Sequence, residues 1–393
     1  MKRRGLAAAL LVTSILYALY VYTSTKNGIQ IHNRRKVSAY RTPYKLSNTV
    51  PEPQISMPSS RQIHMHFYNP PRWFKNVSEV FKRCPRNCSM SAGKGQDYYD
   101  KDVVIFFSQT LGAYPEKKRR GQIWVLYGKE PPPLHHRHIR KWKGLFNWTM
   151  TYRRDSDIQC RYGHFESKFN SLLRSPNITF KYRSVVDSAK SLKPKGHASS
   201  TAWFVSRCHA QSRREDYVAI LNKTQSVDVF GRCGTIKCSK EDNSQCLSLL
   251  SRNYRFYLSF ENSLCRDYIT EKSFNFYTKT LDTVPITRGF GGIHSLYLPP
   301  GSFIDTSNYD HIDELGHFLN YLSKNDTLYS RYFQWRKYYQ ANLNIIDPFC
   351  ELCDRMHLPD VNTRYHRVYN NIHQWFFGSS NVTMCTNAED LRK

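Results

Sequence analysis

Short runs of β-branched and aromatic residues, spaced by polar stretches long enough to hold helices, constrain this chain more than any other feature. They are Asp102–Phe107 (DVVIFF), Gln122–Tyr127 (QIWVLY), Thr201–Ser206 (TAWFVS), Val227–Phe230 (VDVF) and Tyr254–Phe260 (YRFYLSF). Runs of this length read as buried strands of a parallel sheet, which crossover helices cover on both faces. Alternation with spacers such as Arg213–Thr224 is the pattern of an α/β fold. At 393 residues the chain exceeds one small core, and at roughly 150 residues per domain it fits two lobes with a cleft between them. An apolar fraction of 40%, with 27 Tyr and 22 Phe, supplies ample core material. From Asn177 to Lys195 the apolar period is lost and Ser, Lys and Pro accumulate, which places an interdomain linker there and starts a second lobe near Gly196.

The amino end has a different character. Lys2, Arg3 and Arg4 precede an uncharged run, Leu6–Tyr22, at the short end of what spans a bilayer. Basic residues are retained on the cytosolic side, so the rest of the chain is expected to enter the lumen of the secretory pathway. A cleaved signal peptide is the alternative, since Thr23, Ser24 and Thr25 are small; Tyr17, Tyr20 and Tyr22 suit a membrane interface and favour a retained anchor. The expected division is a cytosolic tail at 1–5, a transmembrane signal anchor at 6–25, a polar stem at 26–61, a first lobe at 62–195, and a second lobe with a C-terminal tail at 196–393. Eleven cysteines suit an oxidising compartment. Acceptor triplets for N-glycans begin at Asn76, Asn87, Asn147, Asn177, Asn222, Asn325 and Asn381, each an expected surface position.

The net charge of +27 asks for an anionic partner, a membrane surface or a nucleotide phosphate. Nucleic acid is not expected: Lys and Arg are scattered, without a zinc finger, an RNA-binding signature or a recognition helix. Much of the charge reads as solvated surface. The densest chemistry lies in Phe256–Lys272, FYLSFENSLCRDYITEK. An aromatic strand ends at Phe260, which puts Glu261, Asn262 and Ser263 at its carboxyl end, where open α/β sheets bind ligands. Tyr268, Thr270, Glu271 and Lys272 then open a helix, whose unsatisfied N–H groups favour phosphate; Lys272 adds a full charge. A nucleotide diphosphate fits such a site.

Phe256–Lys272 resembles the donor-binding motif of the α1,3/α1,4-fucosyltransferase family, FYLxFENSxxxDYITEK. The resemblance extends to Gln122–Pro131 (QIWVLYGKEP), Phe146–Gly163 (FNWTMTYRRDSDIQCRYG), Trp203–Arg214 (WFVSRCHAQSRR) and Val227–Gly234 (VDVFGRCG), covering about two thirds of the chain. It implies two Rossmann-like lobes of GT-B type, with the second holding GDP-fucose and the first the acceptor. It also implies a Golgi-resident type II membrane protein that transfers fucose with inversion, in α1,3 linkage, to an N-acetylglucosamine of an N-glycan or another acceptor. Such a transfer needs a base for the acceptor hydroxyl and cations for the departing diphosphate. Carried over residue by residue, Glu130 is the base and Arg214 the phosphate-binding arginine, with Arg213 beside it as the other register. Tyr268, Glu271 and Lys272 bind the donor, and Glu261 and Asn262 neighbour it.

Asp155-Ser156-Asp157 has the D-x-D form of a metal-binding pair. In this family it belongs to the first lobe, so it is assigned to structure or to the acceptor side; Mn or Mg is expected at most to stimulate, and no metal ligand is assigned. Cys350 and Cys353 lack a second C-x-x-C, and disulfides from Cys84 and Cys88 to the C-terminal pair are what the resemblance favours; Cys233 with Cys238 is a further local possibility. The chain departs from the family at Pro131, where serine is usual, at Arg207, where asparagine is usual, and in the bulky stretch Ser273–Asp282. A luminal glycan-binding protein without catalysis, or a transferase using another nucleotide sugar through the D-x-D pair, are the competing readings. Cys208 and the VDVFGRCG turn lean toward an N-glycan core acceptor and TYRRDSDIQ toward an antenna, so the acceptor and the oligomeric state stay open.

Overall fold

A computed structural model describes residues 61–74, 77–135, 137–168, 201–237, 243–278, 281–342, 348–359, 361 and 367–392. The apolar run at 6–22, nearly all of the stem, the 177–195 linker, and the triplets at Asn76 and Asn177 lie outside them. Among the described residues no helix is long and apolar enough to cross a membrane.

The first sheet contains β1 (Ile63–Phe67), β2 (Cys88–Ala92), β3 (Val103–Phe107), β4 (Ile123–Gly128), β5 (Trp148–Thr151) and β6 (Ile158–Gln159), all parallel, in the order β2-β1-β3-β4-β5-β6. A short strand, β7 (His164–Ser167), follows it. The second sheet contains β8 (Thr201–Phe204), β9 (Val227–Phe230), β10 (Phe256–Phe260), β11 (Val284–Arg288) and β12 (Ile304–Asp305), also parallel, in the order β12-β11-β10-β8-β9. Both orders reverse once, between β1 and β3 and between β8 and β10. At such a reversal the flanking connections leave toward opposite faces and open a crevice beyond the strands' carboxyl ends.

Strand alternation explains why the central runs are continuously apolar. Val103, Ile105 and Phe107 of β3, with Ile123, Val125 and Tyr127 of β4, face one core; Val104, Phe106, Trp124 and Leu126 face another. Trp124, at 1% exposure, anchors the second of these, and truncating so large a buried side chain costs about 3–5 kcal/mol. Among the strands that composition did not reveal are β1 (IHMHF) and β2 (CSMSA), whose polar residues bond across the pair: His64 Nδ1 lies 2.8 Å from Ser89 Oγ, and His66 Nδ1 2.8 Å from Ser91 Oγ.

The spacers behave differently in the two lobes. In the second they hold α1 (Arg214–Leu221), α2 (Asn243–Asn253) and α3 (Glu271–Thr278), then α4 (Ile312–Ser323) and α5 (Asp326–Arg331) after β12. In the first, the described connections are 3₁₀ turns such as Arg137–Trp142. Helices that cover the first sheet come from the far end of the chain. In α6 (Pro348–Met356), Phe349, Leu352 and Cys353 join the core of one face; in α7 (Ile372–Phe377), Ile372 and Phe376 join that of the other. The strand β13 (Tyr339–Asn342) pairs antiparallel with β7 on the way back. Residues 196–393 therefore do not all belong to the second lobe. Among the described residues the first sheet's own connections supply no α-helix to bury its apolar surface, and the C-terminal segment does.

Disulfides fix that return. Cys84 joins Cys350 and Cys88 joins Cys353, at sequence separations of 266 and 265. Cys265 joins Cys385, and Cys208 joins Cys233. The last of these replaces the Cys233–Cys238 bridge considered from sequence: the turn after β9 brings Cys233 to the loop after β8, with the Cys233 N–H donating to Val205 C=O at 3.3 Å.

Asn147 also differs from expectation. It is 2% exposed, its Oδ1 accepts from the Trp124 N–H at 2.9 Å and from Lys118 Nζ at 2.6 Å, and its Nδ2 donates to Arg367 C=O. A side chain so engaged is a strand clamp and not an open glycan acceptor.

Candidate active site

The second-lobe crevice is built where β8 and β10 diverge. Arg214, the first residue of α1, is 3% exposed; its Nη1 donates to Phe260 C=O at 2.8 Å, which places the guanidinium against the end of β10. Burial pulls its pKa below the ordinary arginine value, with Glu261 and Glu215 opposing. Arg213 instead points outward: it adopts left-handed backbone at φ 47° and pairs with Asp216 at 2.7 Å. Of the two registers, Arg214 is the one in the crevice.

Glu261 follows β10 and is fully buried. Its carboxylate accepts from the Thr270 N–H at 2.8 Å and from the Thr270 hydroxyl, and lies 3.4 Å from Lys272 Nζ. It therefore stabilises the start of α3 and the lysine on it; with its oxygens consumed this way, it supports a ligand site instead of lining it. Lys272 Nζ also reaches Thr270 Oγ1 at 2.8 Å and the half-exposed Glu271 at 3.0 Å. Burial disfavours the ammonium, but Glu261 and Glu271 outweigh it and its pKa is pushed up to about 12. For Glu271, burial raises the pKa and Lys272 overrides it, so the carboxyl stays below its usual range.

Among the described residues, the buried polar atoms Arg214 Nε, Asn262 Oδ1 and Ser263 Oγ have no protein partner at this edge, nor does Glu215 Oε2 beside Arg214. Buried polar groups are nearly always paired, so a crevice holding such atoms beside two cations is suited to a polar, anionic guest. A nucleoside diphosphate has the phosphates and the ring donors to meet them.

Across the cleft, Glu130 stands just beyond β4. The loop behind it is held by His135, whose Nδ1 lies 2.9 Å from Pro131 O and whose Nε2 lies 2.7 Å from Ser108 Oγ. Tyr268, from the second lobe, donates its hydroxyl to Glu130 Oε2 at 2.8 Å. Tyr268 is 1% exposed, and burial, then Tyr162 and Glu130, raise its pKa far enough to keep it a donor. Tyr152 packs edge-on against it at 5.2 Å and Tyr162 at 6.4 Å; Tyr162 donates to Lys129 C=O at 3.0 Å. The structure thus brings Glu130, from one lobe, to the Tyr268–Lys272 segment of the other.

Scanning two models of known families along the chain matches residues 60–163 to "Fucosyltransferase, N-terminal" and residues 194–375 to "Glycosyltransferase family 10 (fucosyltransferase) C-term". Human alpha-(1,3)-fucosyltransferase 7 is 33% identical over 303 residues, spanning 74% of this chain and 78% of the human protein. The chain belongs to the α1,3-fucosyltransferase family. Alpha-(1,3)-fucosyltransferase C of Drosophila melanogaster is 33% identical over 286 residues, 71% of this chain and 66% of that protein. Alpha-(1,3)-fucosyltransferase fut-1 of Caenorhabditis elegans is 35% identical over 264 residues, 65% of this chain and 57% of the relative. The match thus spans between about half and two thirds of the length of these two invertebrate relatives. A solved α1,3-fucosyltransferase with GDP-fucose superposes with a TM-score of 0.50 at 17% identity, over 80% of this chain and 96% of the other, which identifies the fold as the family's.

In this family member the D-x-D carboxylates have separate partners. Asp155 pairs with Arg153, which also stacks on Trp375 at 3.9 Å. Asp157 accepts from the Thr149 N–H at 2.8 Å and from the Tyr369 hydroxyl at 2.8 Å, and pairs with Arg367. Each oxygen-rich side chain already has protein donors, the arrangement of a structural clasp between β5 and the C-terminal segment.

Residues that sequence reasoning passed over also shape the site. Arg288, at the end of β11 and 1% exposed, binds Asp390 through Nε at 2.6 Å and Nη2 at 2.7 Å, and the Ser212 carbonyl through Nη1 at 2.7 Å. It ties the chain's end to the loop preceding Arg214. No local pattern marks it, because both partners are remote in sequence.

Proposed function

We propose that this protein transfers fucose from GDP-fucose, with inversion at the sugar, to a GlcNAc hydroxyl of a glycan, in α1,3 linkage on an N-glycan core or antenna. The observation that carries this reading is the meeting of Glu130, from the first lobe, with the segment that bears Tyr268 and Lys272 in the second. Glu130 takes the proton of the acceptor hydroxyl as its oxygen attacks the fucose carbon. The carbon–phosphate-oxygen bond breaks on the opposite side, and its electron pair leaves on the β-phosphate of GDP. Arg214 and Lys272 stabilise that developing charge, Glu271 holds the donor, Tyr268 beside it keeps its hydroxyl on Glu130, Asn262 offers its amide, and Glu261 keeps Lys272 in place. No step in this scheme calls for a metal bound by Asp155 or Asp157; Mn or Mg enters at most as a stimulant.

The proposal includes the place of work: a Golgi membrane, entered by the uncharged run at 6–22 with the basic residues Lys2, Arg3 and Arg4 on the cytosolic side, and both lobes in the lumen. The disulfides support an oxidising compartment. The test is transfer of labelled fucose from GDP-fucose by the detergent-solubilised full chain to a panel of core and antenna N-glycans, with and without chelator. Fucosylated product, inverted at the anomeric carbon, is the expected result; GDP binding without transfer to any glycan would leave a binding protein.

A further inference from the structure

A second set of contacts crosses the cleft beside Glu130, and the site as described does not use it. Arg154 lies in the turn after β5, on the first lobe. Its backbone N–H donates to Asp267 Oδ2 at 3.2 Å and its Nε to Asp267 Oδ1 at 3.1 Å; Asp267 belongs to the second lobe. Tyr297, beyond β11, donates its hydroxyl to the same Oδ1 at 3.0 Å, and the Arg154 guanidinium lies 5.7 Å from its ring. Asp267 is 4% exposed and adopts φ 61°, a left-handed conformation that few residues other than glycine, asparagine and aspartate accept.

That conformation has a consequence one residue later. The left-handed step at Asp267 turns the chain so that Tyr268 projects across the cleft and its hydroxyl meets Glu130. The Cys265–Cys385 disulfide fixes the chain just before this step, and the Thr270 bonds to Glu261 fix it just after. Between those fixed points Asp267 and Tyr268 both reach the other lobe, the first through Arg154 and the second through Glu130.

We infer that Arg154 and Asp267 are positioning residues of the transfer: their interlobe ion pair sets Tyr268 so that its hydroxyl holds the Glu130 carboxylate in the orientation of a base. This rests on the reading of Glu130 as the base. A donor held at one carboxylate oxygen fixes how the other oxygen faces the cleft. Tyr152, Tyr162 and Tyr268 around it are all kept protonated by burial, with Lys129 4.2 Å over the Tyr162 ring.

The experiment measures transfer from labelled GDP-fucose to whichever glycan of the panel is the best acceptor, using the full chain in detergent, for Arg154→Met, Asp267→Asn and the double variant. Asparagine keeps the left-handed turn while removing the charge. The expected result is a kcat about tenfold lower in each, with KM for GDP-fucose and GDP affinity changed by less than about twofold. The double variant should be no worse than the worse single one, since both remove the same pair; Arg154→Lys should recover most of the loss. An unchanged kcat, or GDP affinity falling in step with kcat, overturns the inference. If Asp267→Asn fails to fold, Arg154→Met decides, because the Arg154 side chain is 46% exposed. Glu130→Gln separates the two layers: if it transfers at the normal rate the reading of the base is wrong, whereas an inactive Glu130→Gln beside a normal Arg154→Met overturns only the positioning role.

Discussion

The two edges that face each other across the cleft are made in different ways. The second-lobe edge is one continuous stretch: β10 ends, Glu261 turns inward, and Lys272 follows on α3, all tied within a dozen residues through Thr270. The first-lobe edge is assembled from afar, with Glu130 after β4, Tyr162 after β6 and Tyr268 from the other lobe, while the sheet behind it is roofed by α6 and α7 from the C-terminus. A phosphate-binding edge can be local because a strand end and a helix start already supply donors and charge. Placing a base opposite it requires two lobes to meet, and that contact has no local code.

The sharpest way to break this contrast is at Glu130. Glu130→Gln should lower transfer by about 10²- to 10⁴-fold while GDP affinity, by calorimetry, stays near normal. Comparable loss of GDP binding would put Glu130 on the donor edge and erase the division. The next largest effect tests the roof. Replacing Cys84 and Cys350 by serine should cost about 2–5 kcal/mol of stability, read as a lower thermal midpoint, because so long a loop is no longer closed. An unchanged midpoint would mean that α6 holds the first sheet without it.

Lys272→Ala should weaken GDP about tenfold to a hundredfold and leave Glu261 buried beside an empty place, with a smaller effect on the rate of the bound complex. Since the Lys272 pKa is raised to about 12, its ion-pair contribution is complete below the free lysine value near 10.5 and is lost only as pH rises through about 12. The lysine contribution to GDP affinity should therefore stay level between pH 7 and about 9.5, and a fall there would show that the ammonium is less well paired. The smallest effect concerns Asn147. Asn147→Ala should cost about 1–3 kcal/mol by stranding the Trp124 N–H and the Lys118 ammonium, with no change in mass after glycosidase treatment compared with the parent. A lost glycan would show that the site opens.

The sequence made the donor edge legible for a physical reason. Aromatic and β-branched residues in β10, a carboxylate at the strand's end and a lysine at the next helix each report a local preference, so Phe256–Lys272 could be read in order. The parallel strands β3, β4, β8, β9 and β10 were legible through their unbroken apolar runs. By contrast, β1 and β2 were hidden because histidine and serine alternate with the core-facing Ile63, Met65, Phe67 and Cys88 and bond to each other across the pair. Asn147 looked like a surface acceptor because a triplet carries no information about burial. Arg213 and Arg214 are indistinguishable by type; only the turn at Arg213 sends one to solvent and the other to Phe260.

What the sequence by itself determined is the local part: two sets of buried parallel strands, a phosphate-suited strand-to-helix turn, and cysteines in numbers that call for oxidation. The tertiary structure alone decided which cysteines meet, which helices cover the first sheet, and that Arg154 with Asp267 and Glu130 with Tyr268 face each other across the cleft. These contacts join residues more than a hundred positions apart, and their partners are selected by how two sheets and a returning C-terminal segment bury their apolar faces together, a condition on the whole chain that no single segment expresses.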